Sequence, residues 1–140
     1  MTRLVLDCSI VMAWCFEDEA SDTADAALAA LAAGEAIVPG IWPLEVANVL
    51  ALAEKRGRIT AAGIATFVPM LQSLPIAVDP HTSDRAFTDI LALARSRQIT
   101  AYDAAYLELA IRQRVSLATL DERLGRAAQA AGVEAFKAGV

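Results

Sequence analysis

The chain has 140 residues, of which 56% are hydrophobic, with two cysteines and a formal net charge of −5 at pH 7. A length of this order suits one domain that buries well over half of its unfolded surface, so folding needs neither disulfides nor a structural metal. The acidic balance argues against a general nucleic-acid coat, which is normally basic, but leaves room for a nuclease whose carboxylates are neutralised by divalent ions.

The elements follow in chain order. Arg3–Cys8 (RLVLDC) reads as a short buried strand ending on a carboxylate. Ala20–Ala33 is Ala-rich with few breakers and predicts a helix. Glu35–Val38 reads as a strand. The helix Pro43–Arg56 has Pro at its first position and stops before Gly57. Thr60 opens a helix to about Ser73, and Pro75–Asp79 reads as a strand. Ser83–Arg97 and Thr100–Arg112 each start on a hydroxyl residue and carry arginines near the end, as the helix dipole favours. Val115–Leu120 (VSLATL) is a second clear strand, again followed by a carboxylate, Asp121. A helix over Glu122–Ala131 stops at Gly132, and Val133–Phe136 is a weak final strand. Strands alternating with helices predict an α/β fold, a parallel sheet covered on both faces by helices, as a single domain over residues 1–140.

Cys8 and Cys15 lack CxxC spacing and sit in an apolar helical pattern, so both are expected to be reduced core residues of a cytoplasmic protein. No secretory-signal pattern and no transmembrane-length apolar run is seen, so no membrane partner is expected. A mean hydropathy of +0.45 is high for a soluble monomer. Part of the excess is Ala; the rest predicts apolar surface covered by a partner or a second copy.

In an open parallel sheet, functional groups gather beyond the carboxyl ends of the strands. Asp7, Glu45, Asp103 and Asp121 are all placed to meet there. Glu45 could instead complement a helix dipole, Asp103 pair with Thr100 in a capping-box-like start, and Asp121 cap the last helix. Asp7 is harder to explain structurally. It follows Leu4-Val5-Leu6 and precedes a second apolar stretch, so burial is expected, and a buried charge needs a cation. Arg3 lies toward the opposite end of the strand, which leaves a metal ion as the economical partner. Hard oxygen ligands without His or Cys favour Mg²⁺ or Mn²⁺, and a carboxylate-bound ion pair suits phosphodiester hydrolysis. Ser9, Asn48 and Thr119 stand two or three residues from an acid and read as its support; Ser9 and Thr119 could equally be helix caps. The lone His81 reads as an exposed turn residue.

Four segments in order, LVLDCSIVMAWCFEDE, WPLEVANVL, ITAYDAAYLELA and LATLDERL, make the chain resemble the PIN-domain family, and within it the VapC-like toxins. The resemblance covers nearly the whole length. It implies a three-layer α/β/α sandwich with a central parallel sheet of four to five strands, and Mg²⁺- or Mn²⁺-dependent endoribonuclease activity. By position, Asp7, Glu45, Asp103 and Asp121 match the family's acidic quartet. Ser9, Asn48, Thr100 and Thr119 match polar positions near it. The resemblance further implies an RNA substrate, a homodimer and a small VapB-like antitoxin laid across the site, often with an Arg among the acids. The Glu17-Asp18-Glu19 cluster is either a contact for a basic antitoxin segment or a solvated turn. RNA would need local positive charge; Lys55-Arg56-Arg58, Arg95 with Arg97, Arg112 with Arg114, and Arg123 with Arg126 are the candidates.

A phosphoryl-transfer receiver domain is disfavoured because it needs a Lys near the last strand, although Asp79 could serve as its acceptor. A haloacid-dehalogenase-like hydrolase is disfavoured because Ser9 stands where it needs a second Asp. A non-toxin RNA-processing nuclease and a catalytically quiet binding module keep the same fold with a different role.

Overall fold

The computed structural model describes residues 2–138. Four strands, β1 (Arg3–Leu6), β2 (Glu35–Val38), β3 (Ile76–Val78) and β4 (Ser116–Ala118), form one sheet in the order β3-β2-β1-β4. Every pairing is parallel, with Val5 opposite both Ile37 and Leu117. The expected strand over Val133–Phe136 contributes a single parallel bridge, Leu117 to Ala135, flanked by backbone bonds of 3.0 Å on either side. Leu4, Val5 and Leu6 are each 0% exposed. A central strand covered on both faces has no polar side to show, which is why its sequence is a continuous apolar run.

Seven α-helices flank the sheet among the described residues: α1 (Cys8–Cys15), α2 (Asp22–Ala30), α3 (Trp42–Lys55), α4 (Ala61–Gln72), α5 (Leu91–Arg97), α6 (Ala101–Gln113) and α7 (Glu122–Ala130). Hydroxyls hold three of the starts: Ser21, Thr60 and Thr100 accept from the backbone N–H groups of Ala24, Gly63 and Asp103. All residues from Ala104 to Ala110 of α6 are buried, so this helix lies inside the molecule rather than presenting one face to water. Gly34 turns the chain into β2 where a Cβ would stand 2.2 Å from the carbonyl of Thr2, a gap that only glycine fits.

Two expected helices differ from the structure. The one over Ala20–Ala33 is confined to α2, because Ser21 caps it and a 3₁₀ turn over Glu17–Glu19 precedes it. The one over Ser83–Arg97 is divided into a 3₁₀ turn (Ser83–Arg85), a π-helical turn (Ala86–Ile90) and α5. These forms differ by one residue in the span of the backbone hydrogen bond, which hydrophobic periodicity does not resolve. No helix among the described residues is long and apolar enough to cross a membrane.

Candidate active site

From β1 the chain steps outward to β2 and β3, then returns to place β4 on the other side of β1. The switch point of this sheet therefore lies between β1 and β4, where such folds open a crevice at the carboxyl ends. Asp7 follows β1 directly, and its N–H bonds to the carbonyl of Ala118 at 3.0 Å. Its side chain is buried, 7% exposed, and makes no ion pair among the described residues. Two hydroxyls hold it instead. Ser9 Oγ and Thr119 Oγ1 each donate to Asp7 Oδ2 at 2.7 Å. Each hydroxyl in turn accepts a backbone N–H, Ser9 from Leu120 at 2.9 Å and Thr119 from Asp121 at 3.0 Å. With their acceptor sites engaged by amides, both hydroxyls point their single proton at Asp7. No hydrogen bond among the described residues reaches Oδ1.

The other three acids come from separate elements. Glu45 lies in the first turn of α3 and accepts from the hydroxyl of Tyr106, in α6, at 2.5 Å. Burial pushes the Glu45 carboxyl above its ordinary value; the Tyr106 bond opposes this, and the negative charges of Asp7 and Asp103 add to it. Asp103, in the first turn of α6, is likewise raised, first by burial and then by the charges of Asp121 and Asp7. Asp121 is the N-cap of α7, accepting from the Leu124 N–H at 3.0 Å. Asp103 thus lies within range of the charges of Asp7 and Asp121, and Glu45 within range of Asp7 and Asp103. The same surroundings push the buried Cys8 thiol up to about 12, through burial first and then Asp7, Glu45 and Glu19. That makes Cys8 an inert core thiol rather than a nucleophile.

The donor set fits a hard divalent cation in its chemistry. All donors are oxygens, and mutual repulsion among acids is what such an ion relieves. Among the described residues, no three acidic, thiol or imidazole groups stand close enough to enclose a bare ion.

The remaining sequence expectations divide. Thr119 does not cap the last helix; it serves Asp7, and the cap is Asp121. Ser9 is likewise not a cap, since it lies inside α1. Thr100 caps α6 and is tied to the Asp103 N–H at 3.1 Å rather than to a carboxylate. Asn48 is exposed in α3, three residues beyond Glu45. His81 is exposed and faces Asp84 at 3.3 Å. Asp18 and Glu19 bind Arg58, which also stacks 4.2 Å above Phe16. Arg112 is no surface group. It grips buried Asp79 through two bonds of 3.0 and 2.7 Å and buried Glu108 through two of 2.9 and 3.0 Å. Sequence reasoning missed Tyr106 as the partner of Glu45. The available signal was its place three residues after Asp103, on the same side of the helix.

Trp42, at the start of α3, has the one buried side-chain polar atom among the described residues without a hydrogen-bond partner, its indole Nε1. It lines an apolar groove of about 590 Å³ between α3 and α4, together with Val46, Leu50, Ile64 and Val68.

The acids stand where an open parallel α/β sheet places its ligand site, at the carboxyl ends of the strands beside the switch point. The family model of the PIN domain matches residues 4–130, and the chain belongs to the PIN-domain family. It is 31% identical over 122 residues to Ribonuclease VapC3 from Pyrobaculum aerophilum, covering 87% of this chain and 92% of that protein. It is similar in fold to the crystal structure of PAE2754 from Pyrobaculum aerophilum, with a TM-score of 0.66 at 20% identity, over 90% of this chain and 84% of that one.

Proposed function

We propose that the chain is a metal-dependent endoribonuclease that hydrolyses RNA phosphodiester bonds, and that it is the toxin of a type II toxin–antitoxin pair. The observation that carries this reading is the buried Asp7, held by two hydroxyls, near enough to Glu45 and Asp103 for its charge to act on both, and with no cation paired to it among the described residues. Family membership and the name of the VapC3 relative support it.

In this reading Asp7, Glu45, Asp103 and Asp121 hold Mg²⁺ or Mn²⁺. When bound, the ions would activate water and stabilise the leaving oxygen of the phosphodiester. The protein's own part is positional. Ser9 and Thr119 fix the rotamer of Asp7 and leave Oδ1 free. Tyr106 keeps Glu45 ionised at lower pH than burial alone would allow. Thr100 anchors the turn that carries Asp103, and Asn48 stands one turn beyond Glu45 to meet substrate or solvent. A small VapB-like antitoxin and a second copy of the chain are the protein partners. The apolar groove between α3 and α4 supports a protein partner, since it leaves apolar surface for one to cover.

Expression in a bacterial host, with cleavage assayed on purified protein, tests the proposal. Growth arrest and RNA cleavage by the wild type, both lost in a folded Asp7→Asn protein, are expected. Full activity in folded Asp7→Asn contradicts the metal site. Cleavage without growth arrest contradicts the toxin role and leaves an RNA-processing nuclease.

A further inference from the structure

Most of the chain's basic residues have a structural explanation. Arg3 pairs with Glu35, Arg58 with Asp18 and Glu19, Arg85 with Asp89, and Arg112 with Asp79 and Glu108. Lys55, Arg56, Arg95, Arg97 and Arg114 stand in the last turns or caps of their helices, where the negative end of the dipole favours a cation.

Arg123, Arg126 and Lys137 have neither explanation: all three are exposed, and none has an ion pair among the described residues or stands in a helix's last turn. Of these, Arg123 stands nearest an acid of the site, two residues after Asp121, in the first turn of α7, the positive end, where a cation opposes the dipole. No other α-helix among the described residues carries a basic residue in its first turn. Arg123 is exposed and has no ion pair among the described residues. Its backbone position is fixed by Asp121, two residues earlier, whose carboxylate caps the same helix through the Leu124 N–H at 3.0 Å. α7 packs against α6, the helix that carries Asp103 in its first turn. Arg123 is therefore held two residues from Asp121 on a capped helix start that packs against the helix of Asp103.

We propose that Arg123 is a substrate-binding residue that takes a phosphate of the RNA strand next to the bond being cut. This rests on the nuclease reading above and deepens it. A guanidinium fork matches two phosphate oxygens, which a lysine point charge does not. Its placement two residues from Asp121 gives a chain of net charge −5 a local cation where the average field repels a polyanion. The unfavourable position at the helix start is then the local cost of a functional group.

The test uses Arg123→Ala and Arg123→Lys on the Asp103→Asn background, which suppresses cleavage, with Mg²⁺ and a labelled short RNA of random sequence. Binding is measured against salt concentration. Loss of one phosphate contact lowers the slope of log affinity against log salt by about 0.7 for a single strand. Arg123→Ala is expected to show that change with roughly tenfold weaker binding. Arg123→Lys should keep the slope and recover part of the affinity. In the cleaving protein, Arg123→Ala should raise KM and leave kcat little changed, as loss of uniform binding does. An unchanged slope and affinity in Arg123→Ala, or a fall in kcat with KM unaltered, overturns the assignment. Failure of the parent protein to bind RNA at all overturns the nuclease reading itself.

Discussion

Replacing Tyr106 by Phe removes one oxygen and leaves the ring's packing unchanged. Tyr106 is 0% exposed, and its hydroxyl is bonded to Glu45 Oε1 at 2.5 Å. A hydrogen bond to a charged group contributes about 1.5–3 kcal/mol. Glu45 is only half-buried, so water can replace part of what is lost and the lower end applies, about 1.5 kcal/mol at neutral pH. For a chain of this size that lowers Tm by roughly 5 °C. The deficit depends on pH in a defined direction. The Glu45 carboxyl titrates above its ordinary range in the fold, so its ionised form is disfavoured there relative to the unfolded chain. That penalty is absent below the unfolded value of about 4.3 and grows as pH rises through the folded value. The Tyr106 bond pulls the folded value down, and without it the value rises further. The stability gap between wild type and Tyr106→Phe should therefore be widest at neutral pH and narrow in acid, where both carry a protonated Glu45. The acid limb of the cleavage rate should move to higher pH in the variant. Melts across pH, with rate profiles on the same proteins, measure both effects. Equal melting at neutral pH together with an unshifted acid limb would refute the reasoning.

Arg112→Ala leaves buried Asp79 without a cation and buried Glu108 with only Arg85, at 3.7 Å, and should cost about 3 kcal/mol in urea denaturation at neutral pH; a loss below about 1 kcal/mol would mean that water replaces the arginine. The Arg112 bonds hold Asp79 below its ordinary value, so the stability it contributes is present above about 3.9 and lost as pH falls through the folded value, and the variant's deficit should shrink in acid. Mg²⁺ or Mn²⁺ at ten times its Kd should stabilise the wild type by about 1.4 kcal/mol, and a melting temperature indifferent to saturating ion would contradict a cation held by the quartet. Asp103→Asn should raise the melting temperature of the metal-free protein at neutral pH, because it removes a carboxylate that burial, Asp121 and Asp7 all disfavour, and should weaken the stabilisation by ion. A metal-free variant no more stable than wild type would show that the acids do not repel.

The parts of the site legible in the sequence are those fixed by local rules. Asp7 and Asp121 follow apolar strands, and strand ends are where a parallel sheet gathers its chemistry. Glu45 and Asp103 sit at helix starts marked by Pro43 and Thr100. The burial of Asp7 without an ion pair follows from the apolar residues on either side of it. What the sequence does not announce depends on contacts between distant segments. The bond from Tyr106 to Glu45 spans 61 positions, and the bonds from Arg112 to Asp79 span 33. Arg112 looks like any arginine at a helix end until β3 and α6 are packed together. Thr119 has the spacing of a helix cap, and only the pairing of β4 with β1 turns its hydroxyl toward Asp7. Arg123 is one of several basic candidates; what separates it is its place in the first turn of α7, two residues after Asp121.

The central claim is that four converging acids make this chain a metal-dependent endoribonuclease, and cleavage of total cellular RNA by the purified protein tests it most directly. The reactions compare Mn²⁺ with EDTA, and wild type with Asp103→Asn. Discrete fragments that require both the ion and Asp103 are the predicted result. Absence of cleavage in Mn²⁺, or cleavage that survives EDTA or the Asp103→Asn substitution, would contradict it.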